Sequence, residues 1–332
     1  MANRTDTSLS RRQLVGAGAT LAATSLASPA AKGNEGMAAQ ELSDPTQKYP
    51  KPPFSKQSQP WPGLAGRMDP RPDHGERSYR GSGRLSGRKA LITGGDSGMG
   101  RAAAIAFARE GADVAISYFP TEEPDAQEAI ALIKQERHTA LALPGDIRDE
   151  KFCADLVRRA VEGLGGLDIV VSNAARQQAR ESILDLSNED FDATIKTNIY
   201  APFWIIKAAL PHLKPGSAII GTTSEQAYDP SPELYDYAQT KAATMNYVKS
   251  FAKQLGPKGI RVNGVAPDPI WTPLHVSGGA PMDKLAKFGS QTPLGRHGLP
   301  AELGSIYVQL AAADASYATG QVYGASGGAG QP

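Results

Sequence analysis

Cysteine is almost absent. The 332 residues hold one, Cys153, so no disulfide can form within the chain, and the redox compartment is left open. Surplus charge is absent too: 35 lysines and arginines stand against 34 aspartates and glutamates, a net charge of +1. Nucleic acid is not expected as a partner, because that surface needs clustered positive charge. Five histidines and the lone cysteine show no metal-ligand spacing, and no metal is expected. Long apolar runs are lacking. The run near the start, Leu14 to Leu26, has 13 residues, whereas a membrane-spanning helix needs ~20; no membrane anchor is expected. What is present, with hydrophobic residues at 40%, suffices for one large α/β core plus extensions.

The apolar run follows Ser10-Arg11-Arg12-Gln13 and leads into the small residues Ala27, Ser28, Ala30 and Ala31. A charged start, a short apolar stretch and a small-residue exit are the parts of a secretory signal. The paired arginines resemble a twin-arginine export signal. Residues 1–31 are read as that signal, with the twin-arginine machinery as the precursor's partner. The mature chain then begins near Lys32 and is periplasmic or otherwise extracytoplasmic; with the signal unused it stays cytoplasmic. Residues 32–83 change character. Pro45, Pro50, Pro52, Pro53, Pro60, Pro62, Pro70 and Pro72 break any periodicity, which reads as an extended arm. Tyr49, Phe54, Trp61, Leu64 and Tyr79 are more aromatic and apolar material than a disordered linker carries. The arm is expected to pack on a neighbouring surface, of this subunit or another.

Order is expected from residue 84 to the end. Lys89 to Thr93 has the length of a buried strand. Gly94-Gly95-Asp96-Ser97-Gly98-Met99-Gly100 follows, then an alanine-rich helix stopped at Gly111. Strand, glycine turn and helix in that order make a phosphate site: the glycines admit a pyrophosphate, and the helix end offers free N–H groups. Further strands are read at 114–118, 140–143, 167–172, 217–223, 260–266 and 321–323, with helices at 126–136, 151–162 and 301–313. This rhythm predicts one Rossmann-fold domain, a doubly wound parallel sheet of about seven strands, with ligands at the carboxyl ends of the strands. Tyr237 and Lys241 are four apart, so on a helix they share a face. A free tyrosine, pKa ~10, is a poor acid or base at neutrality, and a nearby ammonium is expected to lower that value.

These segments together resemble the short-chain dehydrogenase/reductase family from Leu85 to about Gly328. Thr93 to Gly100 resembles its Thr-Gly-x-x-x-Gly-x-Gly turn, and Ser172-Asn173-Ala174-Ala175 its Asn-Asn-Ala-Gly. The resemblance implies a catalytic set of Asn198, Ser224, Tyr237 and Lys241. Tyr237 would exchange the hydroxyl proton, Ser224 would donate to the substrate oxygen, and Asn198 would position a water that relays protons from Lys241. It also implies an NAD(P)H site. Gly94, Asp96, Ser97, Gly98, Met99 and Gly100 form the turn, and Tyr118 ends the second strand. Asp146 and Ile147 follow the third strand, and Asn173 and Ala174 the fourth. Pro267, Ile270 and Thr272 lie on the nicotinamide side, with Tyr237 and Lys241 completing the site. NAD and NADP are left undecided: no lysine or arginine lies between Ala112 and Ile133, and no aspartate ends the second strand.

The implied activity is hydride transfer with a small alcohol, aldehyde or ketone, in a homotetramer. The arm between Tyr49 and Tyr79 resembles that of a bacterial subgroup described as general stress proteins, aldehyde reductases or glucose-1-dehydrogenase-like enzymes. Leu274 to Pro293 looks like a mobile substrate lid. Two positions depart from the family pattern. Ala175 and Asp268 replace glycines, and Asp268 is expected to carry some strain, because glycine there suits a positive φ. A non-catalytic nucleotide-binding protein on the same fold is the alternative. An epimerase or dehydratase would call for a longer C-terminal substrate region.

Overall fold

A computed structural model describes residues 42–330; the export signal read at residues 1–31 lies outside them. Seven parallel strands form one sheet in the order β3-β2-β1-β4-β5-β6-β7. They are β1 (Lys89–Thr93), β2 (Asp113–Tyr118), β3 (Ala140–Pro144), β4 (Ile169–Ser172), β5 (Ala218–Thr222), β6 (Arg261–Pro267) and β7 (Val322–Ala325). The central strands are Val/Ile/Ala runs buried along their length, as a sheet covered on both faces requires. The strand order reverses between β1 and β4, which opens a crevice at their carboxyl ends.

One face carries α1 (Gly98–Arg109), α2 (Glu123–Gln135) and, later in the chain, α9 (Gly304–Ala311). The other carries α3 (Glu150–Leu164), the pair α4 (Asn188–Ile195) and α5 (Ala201–Ala209), and α6 (Tyr235–Leu255). Ala102, Ala103, Ala104, Ala106 and Ala108 of α1 are all buried. Small side chains let α1 lie close to α9, where a Cβ on Gly304 would stand 3.3 Å from the Ala102 carbonyl oxygen. Asp149 caps α3 by accepting from the Lys151 N–H at 2.8 Å, and Gly165 ends it at φ 70°.

The segment read as a mobile substrate lid holds two short helices, α7 (Pro273–Ser277) and α8 (Met282–Ala286), and Val276, Leu285 and Ala286 are buried. The arm covers them and runs across its own domain. The Phe54 N–H donates to the Ala286 carbonyl at 2.9 Å. Trp271 Nε1 donates to the Pro70 carbonyl at 2.8 Å, and Tyr79 donates to Glu110 at 2.7 Å. Phe54 also packs on Trp271 and His297. Among the described residues no helix is long and apolar enough to cross a membrane.

Candidate active site

The crevice holds two adjoining cavities. The first is walled by the glycine turn, by Asn173 to Ala175, and by Thr222, Thr223, Tyr237, Lys241 and Thr272 to Leu274. The α1 end points into it. Ser97 precedes α1 and makes no side-chain cap bond, so the N–H groups of the first turn are left for an anion. Gly98 holds φ at 51°, and a Cβ on Gly100 would stand 1.9 Å from the Gly94 carbonyl oxygen. The turn is therefore shaped to bring main chain against a phosphate, and the residues fit a dinucleotide.

Hydrogen bonds stitch the strand ends together. The Thr93 hydroxyl accepts from the N–H groups of Asn173 and Ala174 at 3.0 and 3.1 Å. The Asn173 amide donates to the carbonyls of Thr93 and Gly94, both at 3.2 Å. Lys241 Nζ donates to the Thr222 carbonyl at 2.8 Å and lies 5.3 Å from the centre of the Tyr237 ring. Helix α6 thus places both side chains on one face, as their spacing predicts. Ser224 starts a single 3₁₀ turn, its hydroxyl accepting from the Gln226 N–H at 3.2 Å, and it is buried beside Tyr237. Asn198 sits in a π-helical turn between α4 and α5, a distortion often found at functional sites. Its amide oxygen accepts from the Arg176 N–H at 2.8 Å, and its amide nitrogen donates to the Arg176 carbonyl and the Thr240 hydroxyl, both at 2.9 Å. The side chain braces α6 with every amide function engaged.

Burial rules the electrostatics. It pushes the Tyr237 phenol well above its ordinary value, the Asp268 carboxylate adds to the rise, and Ser224 opposes it. The expected lowering by Lys241 is not what the structure has. Desolvation outweighs it, and Lys241 itself is pushed down to about 7 by burial. Asp268 does not carry the expected strain either. Arg137, at φ 64°, is the sole non-glycine residue with positive φ among those described. Burial and the neighbouring Glu225 carboxyl raise Asp268 to about 8. In the first cavity burial raises Asp96 to about 7. Burial, with Asp96 nearby, raises Glu122 to about 9.

The second cavity is lined by Ser224, Gln226, Glu233, Asp268, His275 and Lys284 and by apolar residues including Leu234, Leu274, Leu285 and Phe288. Tyr237, Met99, Thr272 and Leu274 belong to both cavities. Of the residues read from the sequence, Gly94, Asp96, Ser97, Gly98, Met99, Asn173, Ala174 and Thr272 line the first cavity, while Pro267 and Ile270 line the second. Gly100 lies behind the turn it tightens. Tyr118, Asp146 and Ile147 line neither. The Tyr118 ring is buried in the core, and its hydroxyl donates to Glu123 at 2.6 Å. Asp146 is held by Arg148 at 2.6 Å, and Ile147 packs under the sheet. Sequence reading missed Trp61, Pro62, Gly63 and Glu122, which line the first cavity. It also missed Arg148 and Arg176, whose guanidinium groups lie 5.9 and 5.6 Å from the ring centres of Phe119 and Trp61. No local signal marks these; distant segments bring them together.

A doubly wound parallel sheet, a phosphate-ready helix end and a buried Tyr–Lys pair define an α/β oxidoreductase of the dinucleotide-binding class. Comparison with known proteins narrows this. Residues 94–330 match the family described as enoyl-(acyl carrier protein) reductase. The uncharacterized oxidoreductase YghA of Escherichia coli is 55% identical over 287 residues, covering 86% of this chain and 98% of that protein. Glucose and ribitol dehydrogenase of Daucus carota is 39% identical over 283 residues, covering 84% and 96%. A solved short-chain dehydrogenase from Burkholderia cenocepacia, in complex with NADP, is 34% identical with a TM-score of 0.68, over 74% of this chain and 98% of that one. A 3-ketoacyl-(acyl-carrier-protein) reductase from Brucella melitensis, complexed with NADH, is 30% identical with a TM-score of 0.67 over the same shares. The chain belongs to the short-chain dehydrogenase/reductase family of oxidoreductases.

Proposed function

We propose that the protein moves hydride between a nicotinamide cofactor and the carbonyl or carbinol carbon of an aldehyde, ketone or alcohol, with Tyr237 as the acid and base. The observation that carries this is the place of Tyr237: one buried phenol on the wall shared by a cavity fit for a dinucleotide and a second cavity open to substrate. The nicotinamide, when bound, supplies the hydride. Burial keeps Tyr237 protonated at neutral pH, which suits it to give its proton to the carbonyl oxygen during reduction. Ser224 donates a hydrogen bond to that oxygen as charge develops. Lys241, held near 7 by burial, anchors the nicotinamide ribose and returns a proton to Tyr237. Asn198 braces α6 behind them through the Thr240 hydroxyl; with its amide wholly engaged, its side chain is a positioning group.

The α1 N–H groups take the pyrophosphate. NAD and NADP relatives both occur, and discrimination here is expected to be weak, with dissociation constants within ~100-fold, about 2.7 kcal/mol. Exposed aromatics on α5 (Phe203), at the start of α6 (Tyr235) and on β7 (Tyr323) support a homotetramer of dihedral symmetry; light scattering that returned a monomer would refute it. Residues 1–31 serve as the export signal, 32–83 as the arm and 84–332 as the catalytic domain. Export in the folded state would carry a bound dinucleotide across the membrane. The decisive experiment is a screen of purified protein with NADH and NADPH against aldehydes, ketones and sugars. Binding of either cofactor without turnover of any of them would favour the non-catalytic reading.

A further inference from the structure

The arm runs along the first cavity, and Trp61, Pro62 and Gly63 stand in its wall together with the glycine turn. On one bank the N–H groups of Ala65 and Gly66 donate to the buried Asp125 carboxylate of α2 at 2.6 and 3.1 Å. On the other bank the Gln59 N–H donates to the Val276 carbonyl of α7 at 2.8 Å. Gly63 lies so near α7 that a Cβ there would stand 3.1 Å from the Pro273 carbonyl oxygen. Between the banks the Trp61 indole packs on Phe119, ring centres 5.5 Å apart, just beyond the end of β2.

We propose that residues 59–66 are an added wall of the dinucleotide site. Trp61 and the peptide groups of residues 61–63 contact a bound pyridine dinucleotide, and the strap must lift before the cofactor can exchange. This rests on the nicotinamide chemistry proposed above. A flat indole and main-chain groups suit a heteroaromatic ring or a ribose, which offer a face and polar edges. Because the strap is tied to both banks, lifting it breaks the Asp125 and Val276 bonds together. The effect falls mainly on the rate of release, where most differences in affinity lie.

The test is the rate at which NADPH or NADH leaves the purified full-length protein. Wild type, Trp61→Ala and Asp125→Asn are loaded with reduced cofactor and mixed with excess oxidised cofactor, and nicotinamide emission is followed. Release should be at least about tenfold faster in both variants, equivalent to ~1.4 kcal/mol, with thermal unfolding midpoints within a few degrees of wild type. Asp125→Asn loosens the strap from outside the cavity wall and keeps the test decisive if Trp61→Ala folds poorly; because Asp125 also acts through space on Asp96 and Glu122, release is measured at about pH 6, where both of those groups hold their protons. Variants that bind the cofactor but release it within about twofold of wild type overturn the inference and leave the functional reading standing. A wild type that binds neither NADH nor NADPH overturns the functional reading and the inference with it.

Discussion

Asp268→Asn should make the protein more stable above about pH 4, by an amount that grows until about pH 8. Asp268 follows β6, half-buried in the wall of the second cavity, and burial with the Glu225 carboxyl raises it from 3.8 to about 8. In the unfolded chain it ionises at ~3.9. Between those values the folded protein holds a proton that the unfolded chain has released, so stability falls as pH rises through this window. Below about 4 the group costs nothing; above about 8 the whole cost is present. One decade in proton affinity is worth ~1.4 kcal/mol, and half of the rise, kept for a partly solvated site, gives about 3 kcal/mol. Asparagine keeps the shape and carries no charge. At pH 9 the variant should exceed wild type by about 3 kcal/mol, roughly 6–12 °C in unfolding midpoint for a domain of this size. At pH 4 the two should coincide. Thermal unfolding across the range checks this, and an equal gap at both ends, or a variant less stable at pH 9, would refute the reasoning.

Dinucleotide binding should take up protons. Asp96 and Glu122 line the cofactor cavity at about 7 and about 9, and an anionic ligand favours their protonated forms, so affinity should fall as pH rises from 7 to 10; calorimetry in buffers of different ionisation enthalpy measures the uptake. Gly100→Ala should lose cofactor binding, because the added Cβ collides with the Gly94 carbonyl at 1.9 Å; fluorescence titration with NADH and NADPH reads the loss, and wild-type affinity would contradict the account of the turn. Replacing Arg11 and Arg12 by Lys should strand the precursor in the cytoplasm, whereas wild-type protein found uncleaved in the cytosol would end the export reading.

The parts of this molecule legible from sequence are those that local chemistry dictates. The turn from Thr93 to Gly100 reads directly because strand, glycines and helix are contiguous, and the strands read as short buried runs with errors of a residue or two at their ends. Tyr237 and Lys241 meet because helical spacing alone puts them on one face. What was not legible depends on contacts between distant segments. Asp125 looks like a solvated helix-start acid until Ala65, sixty residues earlier, is seen to donate to it. Trp61 reads as arm material that packs on some surface, but nothing local says that the surface is the wall of the first cavity. Tyr118, at the strand end where a cofactor contact was expected, turns into the core instead. The Tyr237–Lys241 electrostatics depart from the expectation for a physical reason: a sequence shows which charges are near, but not that both groups are buried, and burial decides here.

Tyr237→Phe removes the proposed proton donor and little else. The rate of carbonyl reduction should fall by at least ~10²-fold, the scale of general acid catalysis, with cofactor binding kept because the phenol is not a main anchor. Single-turnover oxidation of bound NADH or NADPH by an aldehyde that the wild type reduces gives the rate, and a fluorescence titration of the same sample gives the affinity. Turnover near the wild-type rate would contradict the assignment of Tyr237 as the proton donor.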